Sequence, residues 1–292
     1  MAVAQFVNSL MRIARNPHIH RGRAVARHLA WQLRKLTARF PVELRLSNSA
    51  LIATHGRCGI SALVNTHGMY DYNNMTLIQL MLSGGGLFVD VGANIGAYTL
   101  IASELGAAQV LAFEPHPVTF VALCSNIDRN CRRNVIAVCA AVGDESGMVA
   151  ITNTPGSSTT HITSAEGFDS VVVPMVRLDS ELAARGLKPY IVKIDVEGYE
   201  LNVLKSLGTA LADVVIVFVE INGLSQIRAT GAEPICAMLI AAGFVGPLYY
   251  DAASRELTEI PVAAGEDPIF VARTFANSLA QKLGISVVAR SR

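Results

Sequence analysis

The chain has few charged residues, few aromatic residues and no long apolar run. Of its 292 residues, 16% are charged and 6% aromatic, with one tryptophan, whereas 51% are hydrophobic. This composition allows a sizeable core. The formal net charge of +1 indicates no particular partner. No segment approaches the ~18 consecutive apolar residues of a membrane-spanning helix, and we expect no signal peptide because no long apolar core follows the N-terminus.

The cysteines predict neither a disulfide framework nor a structural zinc site. Their number is odd and no two are spaced as Cys-x-x-Cys. A reduced, cytoplasmic protein is therefore expected. The five cysteines are Cys58, Cys124, Cys131, Cys139 and Cys236.

Two common phosphate-binding motifs are also missing from the glycine-bracketed segment 88–96, FVDVGANIG. A short apolar run there ends in Asp90, and a tight turn then opens into a helical pattern, the arrangement that presents backbone N–H groups to a nucleotide-like ligand. Asn94 and Ala97 stand where a dinucleotide site needs its second and third glycines, and no Gly-Lys-Ser/Thr follows. The loop therefore favours a cofactor with a ribose and an amino-acid moiety but no phosphate, which describes S-adenosylmethionine.

A second acid supports this cofactor. Glu114 ends the next apolar run, where a Rossmann-like fold holds ribose hydroxyls. His116 is predicted either to flank the adenine or to open a helix. Asp144, after the third strand, is predicted either to meet the adenine amino group or to serve as a turn residue. The full set of predicted cofactor-binding residues is Asp90, Gly92, Ala93, Asn94, Gly96, Glu114, His116 and Asp144.

Strands and helices alternate after Gly84-Gly85-Gly86, which is typical of a doubly wound parallel sheet. We predict an N-terminal basic extension with a small cap over 1–67, a cofactor-binding domain over 68–275 and a C-terminal tail over 276–292. The cap is predicted to hold short strands, one of them near 62–64. Strands of the main domain are predicted at 87–91, 109–113, 135–142, 149–152 (as an appended hairpin), 190–195, 214–221, 244–250 and 268–272.

Residues 1–45 contain nine Lys or Arg and one acid, and 21–40 reads as an amphipathic helix. Its apolar stripe is expected to pack on the main domain or to lie on an anionic membrane surface. Nucleic acid is the least favoured partner, because Trp31 and Phe40 are the only aromatic residues between the basic ones. The apolar stripe is Val25, Leu29, Leu33, Leu36 and Phe40.

Lys193, Asp195 and Glu220 are the candidate catalytic residues at the carboxyl ends of two apolar strands. A buried lysine requires a charged partner. Asp195 is predicted to be a general base or to orient the acceptor, with Lys193 and Glu220 setting its charge; the alternative is a purely structural ion-pair network. His161, in a polar loop, is a further candidate base. Asp195, Glu197 and Glu220 could form a Mg²⁺ site, but their spacing is not specific, and no metal is predicted.

Three segments, 88–99 (FVDVGANIGAYT), 113–117 (FEPHP) and 193–200 (KIDVEGYE), resemble the FkbM family of S-adenosylmethionine-dependent methyltransferases in sequence, order and spacing. The segment 141–144 (AVGD) matches between the second and third. The resemblance implies a class I methyltransferase fold, a Rossmann-like α/β sheet, and usually O-methylation of a sugar or polyketide-type hydroxyl. It implies cofactor binding by Asp90, Gly92, Asn94, Gly96 and Glu114, and covers about 68–275.

The predicted function is transfer of a methyl group from S-adenosylmethionine to a hydroxyl of a sugar, glycolipid or secondary metabolite. Two alternatives stay open: a nicotinamide-dependent oxidoreductase, which Asn94 disfavours, and a binding module that kept the cofactor fold without turnover. The acceptor is expected to be a small molecule or glycan.

Overall fold

The main sheet has five parallel strands at its centre, as the alternation of strands and helices predicts. The computed structural model of the chain describes residues 20–37, 39–54, 59–105, 108–153, 162, 170–221, 232–261 and 267–288. The central strands are β3 (Gly86–Val91), β4 (Ala108–Phe113), β5 (Val135–Val138), β9 (Ile191–Ile194) and β10 (Ile216–Val219). Their spatial order is β5-β4-β3-β9-β10, so chain order reverses between β3 and β9.

The sheet continues past β10 through an antiparallel strand. β13 (Ile269–Ala272) lies antiparallel between β10 and β11 (Phe244–Asp251). This strand order, with a late antiparallel strand inserted, is the class I methyltransferase arrangement expected from the sequence, and the predicted fold is confirmed. At the far edge lie β12 (Glu256–Glu259) and β14 (Ser286–Val288).

Helices cover both faces of the sheet. One apolar core contains residues of α3 (Tyr72–Leu82), α4 (Ala97–Ser103), α5 (Pro117–Arg129) and α9 (Arg273–Leu283). The core on the opposite face contains residues of α6 (Leu178–Arg185), α7 (Glu200–Ser206) and α8 (Ala232–Ala241), with a 3₁₀ helix at Gly208–Asp213. Apolar burial on both faces explains the nearly continuous hydrophobic central strands. None of the described helices is both long and apolar enough to cross a membrane.

A separate small sheet replaces part of the predicted third strand. The apolar run over 135–142 splits into β5 and β6 (Ala141–Val142), and β6 pairs with β8 (Ser170–Val176) instead of with β4. β7 (Gly147–Thr152) pairs antiparallel with β8 in that small sheet, so the prediction that it extends the main sheet as a hairpin was wrong. Strand β8 and helix α6 were not predicted.

The described part of the N-terminal region contains a β-hairpin and two helices. β1 (Val42–Arg45) and β2 (Leu51–Thr54) pair antiparallel, as the alternation there suggests. The strand predicted near 62–64 was wrong, because those residues lie in α2 (Gly59–His67). Ser61 and Val64 are buried three residues apart, which is a helical spacing that a three-residue apolar run cannot reveal.

The first described helix, α1 (Arg21–Thr37), confirms the predicted helix but packs through a different face. Ala24, His28 and Trp31 are buried, whereas Leu29 and Leu33 of the predicted stripe are 48% and 67% exposed. Leu29 and Leu33 therefore do not pack on the main domain, contrary to the expectation for this stripe, whereas Phe40 at its end does pack on the core. The tryptophan decides the packed face, and its ring meets Phe40 edge-on at 6.1 Å.

Residues 276–292 were expected to form a tail. Most of the described part of this segment lies in α9, which packs on the core through Leu279, and in β14, which pairs parallel with β12.

Two asparagines at the C-terminal end of α5, Asn126 within the helix and Asn130 just after it, join the N-terminal hairpin to the main domain. Asn126 accepts a hydrogen bond from the backbone N–H of Ala53 at 2.7 Å and donates to the carbonyls of Ala53 and Ile95 at 3.2 and 2.8 Å. Asn130 repeats the pattern with the N–H and carbonyl of Leu51. Each side-chain amide thus pairs with a backbone N–H and carbonyl at the open edge of β2, as a neighbouring strand would.

Asn126→Ala should lower the free energy of unfolding by about 2–4 kcal/mol, because it leaves the partly buried N–H and carbonyl of Ala53 and the buried carbonyl of Ile95 without this partner. Chemical denaturation of this variant and of Ser125→Ala, an exposed neighbour on the same helix, would measure the difference. Equal stabilities would show that the hairpin does not depend on this contact.

Candidate active site

The loop between β3 and α4 has a left-handed backbone at three positions. Gly92, Asn94 and Gly96 have φ values of 82°, 51° and 95°. The N–H groups of Gly92 and Ala93 both donate to the carbonyl of Phe113, at 3.0 and 2.9 Å, which fixes the loop against the end of β4. Two of the three are glycines, the residue that adopts this conformation without strain.

Close approach, besides conformation, requires glycine at position 92. A Cβ atom there would lie 1.8 Å from the carbonyl oxygen of Asp195. At Gly96 it would lie 2.7 Å from Cδ1 of Leu123. The loop therefore presents bare backbone beside Asp195, where a side chain would fill the space.

Glu114 is fixed at the adjoining strand end by backbone donors. Its carboxyl oxygens accept from the N–H groups of Asn94 at 3.0 Å and His116 at 2.9 Å. Burial raises the pKa of Glu114 to about 7, against the lowering effect of these two hydrogen bonds. Only 5% of the residue is exposed.

Lys193 on β9 lies between two carboxylates. Its Nζ is 3.0 Å from Oδ2 of Asp195 and 3.9 Å from Oδ1 of Asp90. It also lies 4.8 Å from the ring centroid of Tyr98, within cation–π range. Burial alone would lower the pKa of Lys193, but Asp195 and Asp90 outweigh burial and raise it. Lys193 is therefore a protonated, buried cation.

Asp90 is entirely buried beneath this lysine. Its Oδ2 accepts from the hydroxyl of Thr99 at 2.7 Å, and its Oδ1 has no hydrogen-bond partner in the described chain. Burial raises the pKa of Asp90, while Lys193 counteracts that effect. Asp90 lines neither cavity described below. Its observed contacts hold Lys193 in place.

Asp195 and Glu220 form a coupled carboxyl pair at the ends of β9 and β10. The hydrogen bond to Asp195, followed by burial, raises the pKa of Glu220 to about 10. Burial tends to raise the pKa of Asp195, but Lys193 and the bond from Glu220 hold it below its usual value. At neutral pH the pair thus holds one proton, on Glu220, and Asp195 is the carboxylate.

Lys193, Asp195 and Glu220 line a cleft of about 710 Å³ at the carboxyl ends of β3, β9 and β10. The strand order reverses at this point, which is where open α/β sheets bind their ligands. Residues of α3 and the segment before it line the opposite side, together with residues of β11 and Asp267. Asp71 accepts hydrogen bonds from Tyr98 and Asn74. Sequence reasoning missed this wall, which includes Tyr70, Asp71, Tyr72, Asn73, Tyr249, Asp251 and Asp267.

A smaller cavity of about 60 Å³ adjoins the cleft beside Glu114. Gly92, Asn94, Asp195 and Glu197 line both spaces, while Val142 and Ile151 form part of the smaller cavity's apolar wall. These residues fit S-adenosylmethionine. The bare backbone at Gly92 leaves room for it, Glu114 could accept from ribose hydroxyls, and the apolar wall suits a base.

The remaining predicted residues lie elsewhere. Buried His116 precedes α5 and contacts Asn153 at 3.2 Å without lining either cavity. Asp144 accepts from Asn202 at 2.8 Å and also lies outside both. His161 falls outside the described residues.

Within the described residues no three His, Cys, Asp or Glu side chains are grouped as a metal site, although Asp195, Glu197 and Glu220 share the cleft.

The chain matches a protein family and a curated protein in sequence. Residues 90–245 match the FkbM methyltransferase domain. The hexuronic acid methyltransferase AglP of Haloferax volcanii is 41% identical over 136 residues, which are 46% of this chain and 54% of AglP. The chain thus spans about half the length of this curated relative.

Two solved structures that align with part of the chain are TYW2 of M. jannaschii in complex with AdoMet and a proposed O-methyltransferase of Klebsiella pneumoniae. TYW2 has a TM-score of 0.42 at 11% identity, covering 80% of this chain and 86% of TYW2. The Klebsiella protein has a TM-score of 0.41 at 11% identity, covering 68% and 77%.

The family match covers more than half of the chain and includes the β3 loop, Glu114 and the strands that carry Lys193 and Glu220. It confirms the family predicted from sequence, and with it S-adenosylmethionine as the cofactor. The chain therefore belongs to the FkbM methyltransferase family.

Proposed function

We propose that this protein is an O-methyltransferase that transfers the methyl group of S-adenosylmethionine to a hydroxyl of a saccharide. The observation that carries the proposal is the position of Asp195, an ionised carboxylate on the boundary between the cavity beside Glu114 and the larger cleft. The name of AglP, a hexuronic acid methyltransferase, supports a sugar as the acceptor.

The residues around Asp195 would have separate roles, some in binding the cofactor and Asp195 in orienting the acceptor. Bound S-adenosylmethionine supplies an electrophilic methyl group. The Gly92–Asn94 loop and Glu114 would hold the cofactor, and Asp195 would accept a hydrogen bond from the acceptor hydroxyl and aim its oxygen. Because the pKa of Asp195 is lowered, its carboxylate would orient and polarise the hydroxyl and pass the released proton on to water, so that the acceptor oxygen gains the methyl group as the C–S bond to the donor breaks.

Asp195→Asn should lower turnover by about 10²- to 10⁴-fold while leaving cofactor affinity nearly unchanged, because the amide keeps the side chain's shape but not its charge. Calorimetry with S-adenosylhomocysteine measures binding, and transfer of isotope-labelled methyl groups to glycan and glycolipid extracts measures turnover. Asp213→Asn, which removes a partly exposed surface carboxylate, is the matched control.

Absence of S-adenosylmethionine binding by the wild type would refute the proposed function, and binding without transfer to any extract would favour a non-catalytic module. If Asp195→Asn unfolds the protein, the ion pair with Lys193 is required for folding, and the purely structural interpretation of Asp195 is favoured over the proposed one. In a deletion strain, mass spectrometry should find the acceptor lighter by one CH₂ unit.

Cofactor affinity should decrease as the pH falls below about 7. The pKa of Glu114 is raised to about 7 by burial, and only its carboxylate form can accept hydrogen bonds from ribose hydroxyls through both oxygens. Protons therefore compete with the cofactor below that pH and not above it. Calorimetry from pH 5.5 to 8.5 should show this slope in the wild type and a weak, pH-independent affinity in Glu114→Gln. A flat wild-type profile would contradict this role.

We further propose that the protein is cytoplasmic and that α1 holds it on an anionic membrane surface. The helix carries Arg21, Arg23, Arg27, Arg34 and Lys35 and no acid. Its exposed Leu29 and Leu33 form an apolar stripe on the side opposite its buried face. A basic amphipathic helix with an exposed apolar stripe is complementary to an anionic bilayer.

Replacing Leu29 and Leu33 by serine should reduce binding to phosphatidylglycerol-containing vesicles by about tenfold, because the stripe could no longer enter the acyl boundary. Sedimentation with such vesicles, and with pure phosphatidylcholine vesicles, measures the partition. The matched control replaces Val118 and Val121, an exposed apolar pair on α5, by serine as well. Equal losses in the two double variants, or equal wild-type binding to both lipids, would exclude this surface.

A further inference from the structure

Another cavity, distinct from the small one beside Glu114 and called the second cavity below, adjoins the cleft near the N-terminal elements. It has a volume of about 450 Å³ and lies among α1, the β1–β2 hairpin and α2. His67 and Tyr72 line both this cavity and the cleft, so the two spaces share a wall. A ligand bound in the cleft at this end would therefore lie beside the second cavity.

The two spaces carry opposite charges. Among the described residues of the cleft wall, Lys193 is the one lysine or arginine, against six carboxyl side chains: Asp71, Asp195, Glu197, Glu220, Asp251 and Asp267. The described lining of the second cavity includes Arg27, Arg45 and one acid, Glu43. An anionic group is therefore disfavoured in the cleft and favoured beside it.

The acid of the second cavity already has a partner. Glu43 forms an ion pair with Arg129 of α5. No carboxylate of the described chain forms an ion pair with Arg27 or Arg45. Arg45 donates from Nη1 to the carbonyl of Asn48 at 3.1 Å, which leaves its other guanidinium donors for a ligand.

The backbone of this cavity is fixed by a contact between its elements. Asn65 of α2 donates to the carbonyl of Arg27 at 2.9 Å, which joins α1 to α2 beside the shared wall. Arg45 ends β1, which packs on α2. The two guanidinium groups are thus carried by elements with fixed relative positions.

We propose that the cavity at Arg27 and Arg45 is a subsite for an oxyanion carried by the saccharide acceptor, either a phosphate ester or a carboxylate. This inference rests on the proposed function of the neighbouring cleft, which takes the hydroxyl to be methylated. Guanidinium groups bind both oxyanions through paired hydrogen bonds. The acceptor is then an anionic saccharide that places its neutral, hydroxyl-bearing part against Asp195 and its charge outside the acidic cleft.

Binding of simple anionic sugars to the full chain tests this subsite without requiring turnover. Glucose 1-phosphate, glucuronic acid and glucose are titrated by ligand-observed NMR, with and without S-adenosylhomocysteine. Substituting glutamine for both Arg27 and Arg45 should weaken binding of the preferred anion by about tenfold or more, as expected for loss of charge-assisted hydrogen bonds. Arg34→Gln, on the same helix but outside the cavity lining, should change binding less than about twofold.

The outcomes separate the two proposals. Tighter binding of glucose 1-phosphate identifies a phosphate ester as the recognised group, and tighter binding of glucuronic acid identifies a carboxylate. Equal affinity of the wild type and the double variant, equal loss in Arg34→Gln, or no preference for either anion over glucose would overturn the subsite. Calorimetry with S-adenosylhomocysteine on the same samples measures the cofactor site separately. Absence of S-adenosylhomocysteine binding would refute the proposed function but not the anion subsite.

Discussion

The buried positive charge of Lys193 is the constraint on which the centre of this molecule depends. An unpaired ammonium group inside a parallel sheet would be strongly destabilising. Asp90 and Asp195 on adjacent strand ends neutralise it, at 3.9 and 3.0 Å from Nζ. The parallel register that places Asp90 opposite Lys193 also brings the cofactor loop beside the carbonyl of Asp195. Charge neutralisation and loop position are therefore set by the same pairing of β3 with β9.

The same charge sets the protonation of the carboxyl pair. Three carboxyl groups surround one lysine, so they cannot all be ionised without uncompensated charge in a poorly solvated place. The lysine favours ionised Asp195, and the proton remains on Glu220. A structural ion pair and a functional carboxylate are thus not competing interpretations of Asp195. The ion pair maintains the charge that the proposed chemistry requires.

The sequence predicted the features that depend on neighbouring residues along the chain. Apolar runs located the central strands, and the position of Asn94 disfavoured a dinucleotide loop. It did not reveal which face of α1 is covered, because periodicity identifies an apolar stripe and not its partner. It missed Asp71 because the contact with Tyr98 joins residues 27 positions apart. It also assigned one strand to 135–142, where the chain changes sheets within an uninterrupted apolar run.

The two sides of the cleft come from different parts of the chain. The loop at Gly92, Glu114 and the Lys193–Glu220 group lie within residues 90–245 that match the family, whereas Asp71, Asn73, Tyr249, Asp251 and Asp267 lie outside them. Asn73 joins the outer pieces by donating to the hydroxyl of Tyr249 at 2.6 Å and accepting from the N–H of Ala252 at 3.1 Å. The family match therefore identifies the donor side. In the proposed function the acceptor would contact the outer wall, which lies outside the matched residues, whereas the buried charges at Lys193 lie within them.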